Sequence, residues 1–136
     1  MFRRPIIICW VVMAACTVAS GCVPVQLSER NLVGAWRVVW KCGIERLDFR
    51  SDATYTQHID YGGGGTATHS GTWVIKSRES FLAGGTIVLK DALQYCSAFG
   101  DRLPKPEQAD LKLETIWEWG RIILSFNPDM QGFERQ

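Results

Sequence analysis

The chain has 136 residues, 46% of them hydrophobic and 21% charged, which is enough apolar material for one cored domain and too much for a disordered stalk. With 15 Lys and Arg against 14 Asp and Glu, the formal net charge is +1. That near-neutral balance gives no support to a nucleic-acid or acidic-substrate partner, and no nucleic acid is expected.

The first element is a leader. Arg3 and Arg4 precede an almost wholly apolar run, residues 6–18, which gives way to the small residues Ala19, Ser20 and Gly21. A charged start, an apolar middle and a small-residue end are the three parts of an export signal. The run is also shorter than the roughly 20 apolar residues that a spanning helix needs. Ala19-Ser20-Gly21-Cys22 resembles the lipobox of bacterial lipoproteins, with Ala19 where that family more often has Leu.

The resemblance implies a helical signal peptide over 1–21, diacylglycerol on the Cys22 thiol, cleavage before Cys22 and a palmitate-type acyl group on the new amino terminus. Several chains, each contributing about 0.8 kcal/mol per buried methylene, anchor a protein stably where one chain does not. Val23 stands where the family uses Asp for inner-membrane retention, which implies the periplasmic face of the outer membrane. A lipidated tether is expected over 22–31 and a barrel domain over 32–136. Without Arg3 and Arg4 the mature chain carries 13 cations against 14 anions.

Of five cysteines, Cys9 and Cys16 lie in the leader and Cys22 at its end, leaving Cys42 and Cys96. A lone pair in an oxidising compartment reads as a disulfide, the alternative being two separately buried thiols. Neither has the CxxC or neighbouring His of a metal site.

In the domain, residues 27–33 read as one helical turn capped by Ser28. Trp36, Val38, Trp40 and Cys42 then alternate with Arg37 and Lys41, the period of a half-buried strand. Leu47 and Phe49 alternate with Arg46, Asp48 and Arg50. A four-residue connection over 43–46 places Lys41 opposite Asp48 and Trp40 opposite Phe49, pairing charges outside and aromatics inside. A two-residue turn would instead oppose Lys41 to Arg46.

Tyr55, Gln57, Ile59 and Tyr61 share one face of the third strand, and Gly62-Gly63-Gly64-Gly65 forms the hairpin tip. Closing that tip with all four glycines sets His58 opposite His69. A shift of one residue aligns Tyr55 with Trp73 and separates the histidines, and burial favours this second register. A polar turn over 77–84 leads to a fifth strand, residues 85–93, with Ile87 and Leu89 inward. Residues 94–109, containing Cys96, Pro104 and Pro106, read as a long loop tied by the disulfide. A turn at Trp119-Gly120 then opposes Trp117 to Ile122, Thr115 to Leu124, Leu113 to Phe126 and Glu118 to Arg121. Asn127-Pro128-Asp129 turns the chain into a last segment, residues 131–135, with Phe133 inward.

Eight short segments joined by hairpins imply an all-β, antiparallel up-and-down meander that closes into a barrel or folds as a sandwich. Gly34-Ala35-Trp36 resembles the Gly-x-Trp opening of lipocalins. Leu47-Asp48-Phe49, Asp52-Ala53-Thr54-Tyr55 and Ser70-Gly71-Thr72-Trp73 are similar to motifs of small bacterial lipocalin-like lipoproteins. The resemblance implies a small barrel in which Arg121 or Arg135 packs over Trp36. It also implies a non-catalytic function: binding a small apolar ligand along Trp36, Trp40, Tyr55, Trp73 and Trp117, or binding an envelope protein.

Two alternatives use the same residues. Trp40-Lys41-Cys42-Gly43 with Ser70-Gly71-Thr72-Trp73 looks like the pattern of membrane-bound lysozyme inhibitors. His58 and His69, with Asp60, would form a zinc or copper site if the hairpin closed in its first register. No Ser-His-acid or Cys-His arrangement is legible, so neither enzyme activity nor a cofactor is expected. Cys22→Ser is expected to release the protein from the membrane fraction and remove the acyl mass; unchanged fractionation and mass would sink the lipid anchor.

Overall fold

The computed structural model describes residues 27–77, 85–97, 101–118, 120–126 and 132–136. The leader, the lipobox and residues 22–26 of the tether lie outside these, as do the expected turns beyond Ser77 and at 127–129. One short helix, α1 (Glu29–Leu32), precedes eight strands: β1 (Gly34–Trp40), β2 (Gly43–Phe49), β3 (Thr54–Asp60), β4 (Thr66–Ser77), β5 (Gly85–Cys96), β6 (Arg102–Glu118), β7 (Arg121–Ser125) and β8 (Phe133–Arg135). They follow one another around a closed antiparallel barrel, the closed form of the meander that the alternating pattern leaves open between barrel and sandwich.

Ser28 caps α1, its side chain accepting a hydrogen bond from Asn31 N at 3.4 Å. Leu27 and Leu32 are buried, so the end of the expected tether is packed into the barrel. Trp36, Val38, Leu47, Phe49, Tyr55, Ile59, Trp73, Ile87, Leu89, Leu113, Leu124 and Phe133 fill the interior, each from the face that its alternation assigns.

The first hairpin differs from expectation in register. Its turn is the two residues Lys41-Cys42, and Trp40 faces Gly43 while Arg37 faces Arg46. Cys42 is drawn to this tip by its disulfide with Cys96, at a Cα–Cα separation of 6.2 Å. Lys41 pairs across the end with Asp101 at 2.6 Å, and Arg46 is neutralised along its own strand by Asp48 at 2.9 Å. The displacement is by an even number of residues, so every inward side chain keeps its face.

In the second hairpin Tyr55 faces Gly71, Gln57 faces His69 and Asp60 faces Thr66. The favoured faces are kept, but the ladder lies two residues from the favoured register because Tyr61 joins the four glycines in the loop. Its ring meets Tyr95 edge-on at 5.5 Å and lies beneath the Arg102 guanidinium at 4.4 Å.

The largest correction concerns residues 94–109. Instead of a loop, β5 continues to Cys96 and β6 begins at Arg102, so the two strands form a long hairpin across a β-bulge at Asp91. Asp110 pins that bulge, accepting from Asp91 N at 3.1 Å and pairing with the Lys90 ammonium. Pro104 and Pro106 are tolerated because β7 covers β6 only from Glu114 onward, which leaves this part of β6 an edge. The last hairpin has the expected register, with Glu118 opposite Arg121, Trp117 opposite Ile122 and Thr115 opposite Leu124.

β8 is three residues long and closes the sheet against β1 and β7, with Phe133 fully buried. Phe133→Ala is expected to cost about 3–5 kcal/mol, the range for emptying a buried aromatic site. A chemical-denaturation midpoint that does not move would show that closure does not depend on this ring.

Candidate functional site

Two ends of the barrel carry polar chemistry, and the aromatic interior separates them. At the first end α1 lies across the opening. A four-residue helix leaves carbonyls without partners, and the barrel supplies them. Trp36 Nε1 donates to Leu32 O at 2.8 Å, while Arg135 donates to Asn31 O at 3.3 Å and to Val33 O at 2.8 Å. The Arg135 guanidinium carbon sits 5.9 Å from the Trp36 ring centroid, so of the two arginines expected over this tryptophan, Arg135 takes the place. Gly34 has φ +134°, and a Cβ there would press on Arg135 Nη2 at 3.3 Å. Arg121 instead pairs with Glu134 at 3.3 Å.

Beside this lock is a cleft of about 420 Å³ lined by Asn31, Trp36, Trp117, Arg121, Ile122 and Arg135, among others. Trp117 is 51% exposed. The five aromatics expected to line one pocket therefore do different things. Trp36, Tyr55 and Trp73 are buried in the core, and Phe49 meets Trp73 edge-on at 5.6 Å and Tyr55 at 6.5 Å. Trp40 stacks with Phe126 and Phe133 at 5.6 and 6.0 Å. Trp117 faces solvent.

At the second end, under the disulfide, sits a buried acid that the sequence reading passed over. Glu45 is 3% exposed. Trp40 Nε1 donates to its Oε2 at 3.0 Å and Gln57 Nε2 to its Oε1 at 2.6 Å. Burial is the dominant influence on its carboxyl, pushing the pKa up to about 7 against the opposing pull of these hydrogen bonds. The buried Tyr95 hydroxyl lies close enough to interact with Glu45, yet meets no partner in hydrogen-bond geometry among the described residues. Burial also pushes this phenol's pKa well above the usual tyrosine range and so holds it neutral. The missed signal was legible: Glu45 continues the inward alternation of Leu47 and Phe49, and Gln57 sits between Tyr55 and Ile59.

Between the ends, β4 parts from β5 before Trp73. Side chains from β3 take over the missing rungs. Tyr55 OH donates to Lys90 O at 2.8 Å, Gln57 Nε2 donates to Leu93 O at 2.9 Å, and Leu93 N donates to Gln57 Oε1 at 2.8 Å. Gly71 is required here, since a Cβ would lie 2.8 Å from the Tyr55 hydroxyl. The Ser70-to-Trp73 segment thus builds the seam, with Ser70 exposed in mid-strand and Trp73 Nε1 donating to Thr54 O at 3.1 Å. His58 is on the outer face, 3.4 Å from Asp48, while His69 points inward opposite Gln57, and Asp60 accepts from Gly62 N. The structure does not bring the two histidines together.

The Glu45 pKa implies a pH-dependent stability. Below about pH 4.5 the carboxyl is protonated in folded and unfolded chains alike, and its full contribution is present. Between about 4.5 and 7 the unfolded chain loses the proton first, so stability falls with rising pH, by about 3 kcal/mol in total, and levels off above 7. Glu45→Gln is expected to flatten this slope in denaturation curves taken from pH 4.5 to 8; an unchanged slope would assign it to another group.

No family model, curated protein or solved structure matches the chain, so a functional reading rests on the chemistry of the two ends and the filling between them.

Proposed function

We propose that this chain is a non-catalytic, lipid-anchored envelope lipoprotein whose small lipocalin-like barrel binds an envelope partner through its surface. It sits at the periplasmic face of the outer membrane, held by acyl chains on Cys22. The observation that carries the surface reading is the packing among the described residues: Trp36, Tyr55 and Trp73 are buried with Leu47, Phe49, Leu89, Leu113 and Leu124 where a cargo-carrying barrel keeps open space. Of the two uses open to a lipocalin-like lipoprotein, an internal apolar ligand or an envelope partner, this packing favours the second.

The same reading gives the disulfide a purpose. Cys42 and Cys96 join the tips of the β1–β2 and β5–β6 hairpins, Lys41 and Asp101 add an ion pair, and Arg102 reaches the Gly62–Gly65 loop through Tyr61. Three otherwise separate tips form one surface of fixed shape, and a preorganised surface loses less entropy on binding.

Titration of the lipidated protein with fatty acids, haem and a lipid extract tests the choice between cargo and surface. The expected outcome is no change in tryptophan emission and no bound mass by native mass spectrometry. A stoichiometric apolar ligand would overturn the surface reading.

A further inference from the structure

We propose that the α1-capped end, with Trp117 and the cleft between Arg121 and Arg135, is the face laid against the phospholipid bilayer, and that the cleft receives lipid headgroups. The inference rests on the reading that Cys22 is the lipid anchor.

Chain length bears on which end faces the bilayer. Four residues separate Cys22 from Leu27, five Cα steps in all. Fully extended, they reach about 18 Å. Leu27 is buried against Gly85, and α1 begins two residues later, so the tether has no slack beyond that point. The seven residues of β1 run about 20 Å from the α1 end to the disulfide end, a height of about 15 Å once strand tilt is included. A barrel inverted on its anchor would need nearly the whole extended length of the tether to climb that height, whereas the α1 end meets the bilayer with the tether relaxed, so chain length favours the α1 end.

The chemistry of this end suits the interface. Among the described residues Trp117 is the one large aromatic in the exposed class, the others being Val39, Ile44 and Val74. A lone exposed tryptophan on a free surface needs no explanation. Here it lies within reach of a membrane, in a cleft lined also by Arg121, Arg135, Asn31 and Glu134. Indole rings settle at headgroup depth, and guanidinium groups bind phosphate through paired donors. Arg135 spends two donors, on Asn31 O of α1 and on Val33 O just after it, and Arg121 one on Glu134, which leaves each guanidinium further N–H groups for an incoming phosphate. The nearby acids, Glu29, Glu118 and Glu134, balance Arg30, Arg121 and Arg135, so the face suits a mixed headgroup layer better than a purely anionic one.

The test places one environment-sensitive fluorophore at either end. Trp117→Cys and Thr66→Cys, each labelled with the Cys42–Cys96 disulfide intact, are reconstituted as lipidated protein into phosphatidylethanolamine–phosphatidylglycerol vesicles carrying headgroup nitroxides. Mass spectrometry first reports the acyl mass on residue 22 in each variant. The expected result is quenching at 117 about threefold or more above that at 66, as an interfacial position requires. Arg121→Glu in the 117-labelled protein is expected to reduce it.

Equal quenching at the two positions, or stronger quenching at 66, with the acyl mass present overturns the orientation and leaves the lipoprotein reading standing. Absence of the acyl mass overturns both. Unchanged quenching in the Arg121 variant overturns the assignment of headgroups to the cleft. Protection of position 117 before vesicles are added, with a doubled native mass, makes a second copy the occupant and overturns the proposal.

Discussion

The sheet closes through β8, which pairs with β1 over two rungs, Trp36 to Arg135 and Arg37 to Glu134, and with β7 over two more. Such a short strand has little ladder energy of its own. Its hold comes from side chains: Phe133 buried beneath the sheet, and Arg135 reaching from its last residue across Trp36 to the carbonyls of α1. A single turn of helix is unstable alone, because nucleation costs more than one turn returns. Here α1 is held by the indole of β1 and the guanidinium of β8, so the contact that closes the barrel also seals its end. Neither partner is replaceable by charge alone, since Lys at 135 offers no planar fork to span two carbonyls while lying over a ring.

The buried acid and its amide partner, Glu45 and Gln57, lie at the other end and at the seam, while at the α1 end the buried Thr115 hydroxyl donates to Gly85 O at 3.0 Å. Glu45 is an expensive residue to bury, and two donors and a raised pKa temper its cost without abolishing it. Gln57 explains why the site tolerates it. One amide group supplies a donor to the acid while completing two backbone contacts to Leu93 that β4 has abandoned. Removing Gln57 would therefore leave Glu45 Oε1 without its amide donor and open the seam together. The polar cluster is a structural device for a sheet that splays, placed beneath the tips that the disulfide ties.

Much of this was legible in sequence, for a physical reason: alternation with period two assigns faces, and faces survive any even slip in register. Hence Trp36, Leu47, Phe49, Tyr55, Trp73, Ile87, Leu89 and Phe133 lie inward as their alternation requires. The Trp119-Gly120 hairpin was legible in register as well, because charge, apolar pairing and turn glycine agree there. The first two hairpins were not. In each, a long-range tie sets the register: Cys96 draws Cys42 into the turn, and Tyr95 with Arg102 draws Tyr61 out of the ladder. Pro104 and Pro106 hid most of the strand before Leu111, since edge position, which permits them, is a property of the sheet and not of the segment. Glu45 and Gln57 were visible on inward faces, but only their mutual contact shows why they are there.

The tryptophans of β1 draw these features together. Trp36 and Trp40 stand four residues apart on one face, and each spends its indole N–H on a different end: Trp36 on the α1 carbonyl of Leu32, Trp40 on the carboxyl of Glu45. Trp40 also touches Phe133 and Phe126, the rings that follow the closure strand and its neighbour inward. A residue that merely filled volume would be replaceable by Phe at either position. These two indoles each add a donor to a group that has no water to fall back on, a helix-end carbonyl in one case and a buried acid in the other. The strand that opens the barrel therefore fixes both of its ends, and the surface presented at each end depends on a hydrogen bond made inside the core.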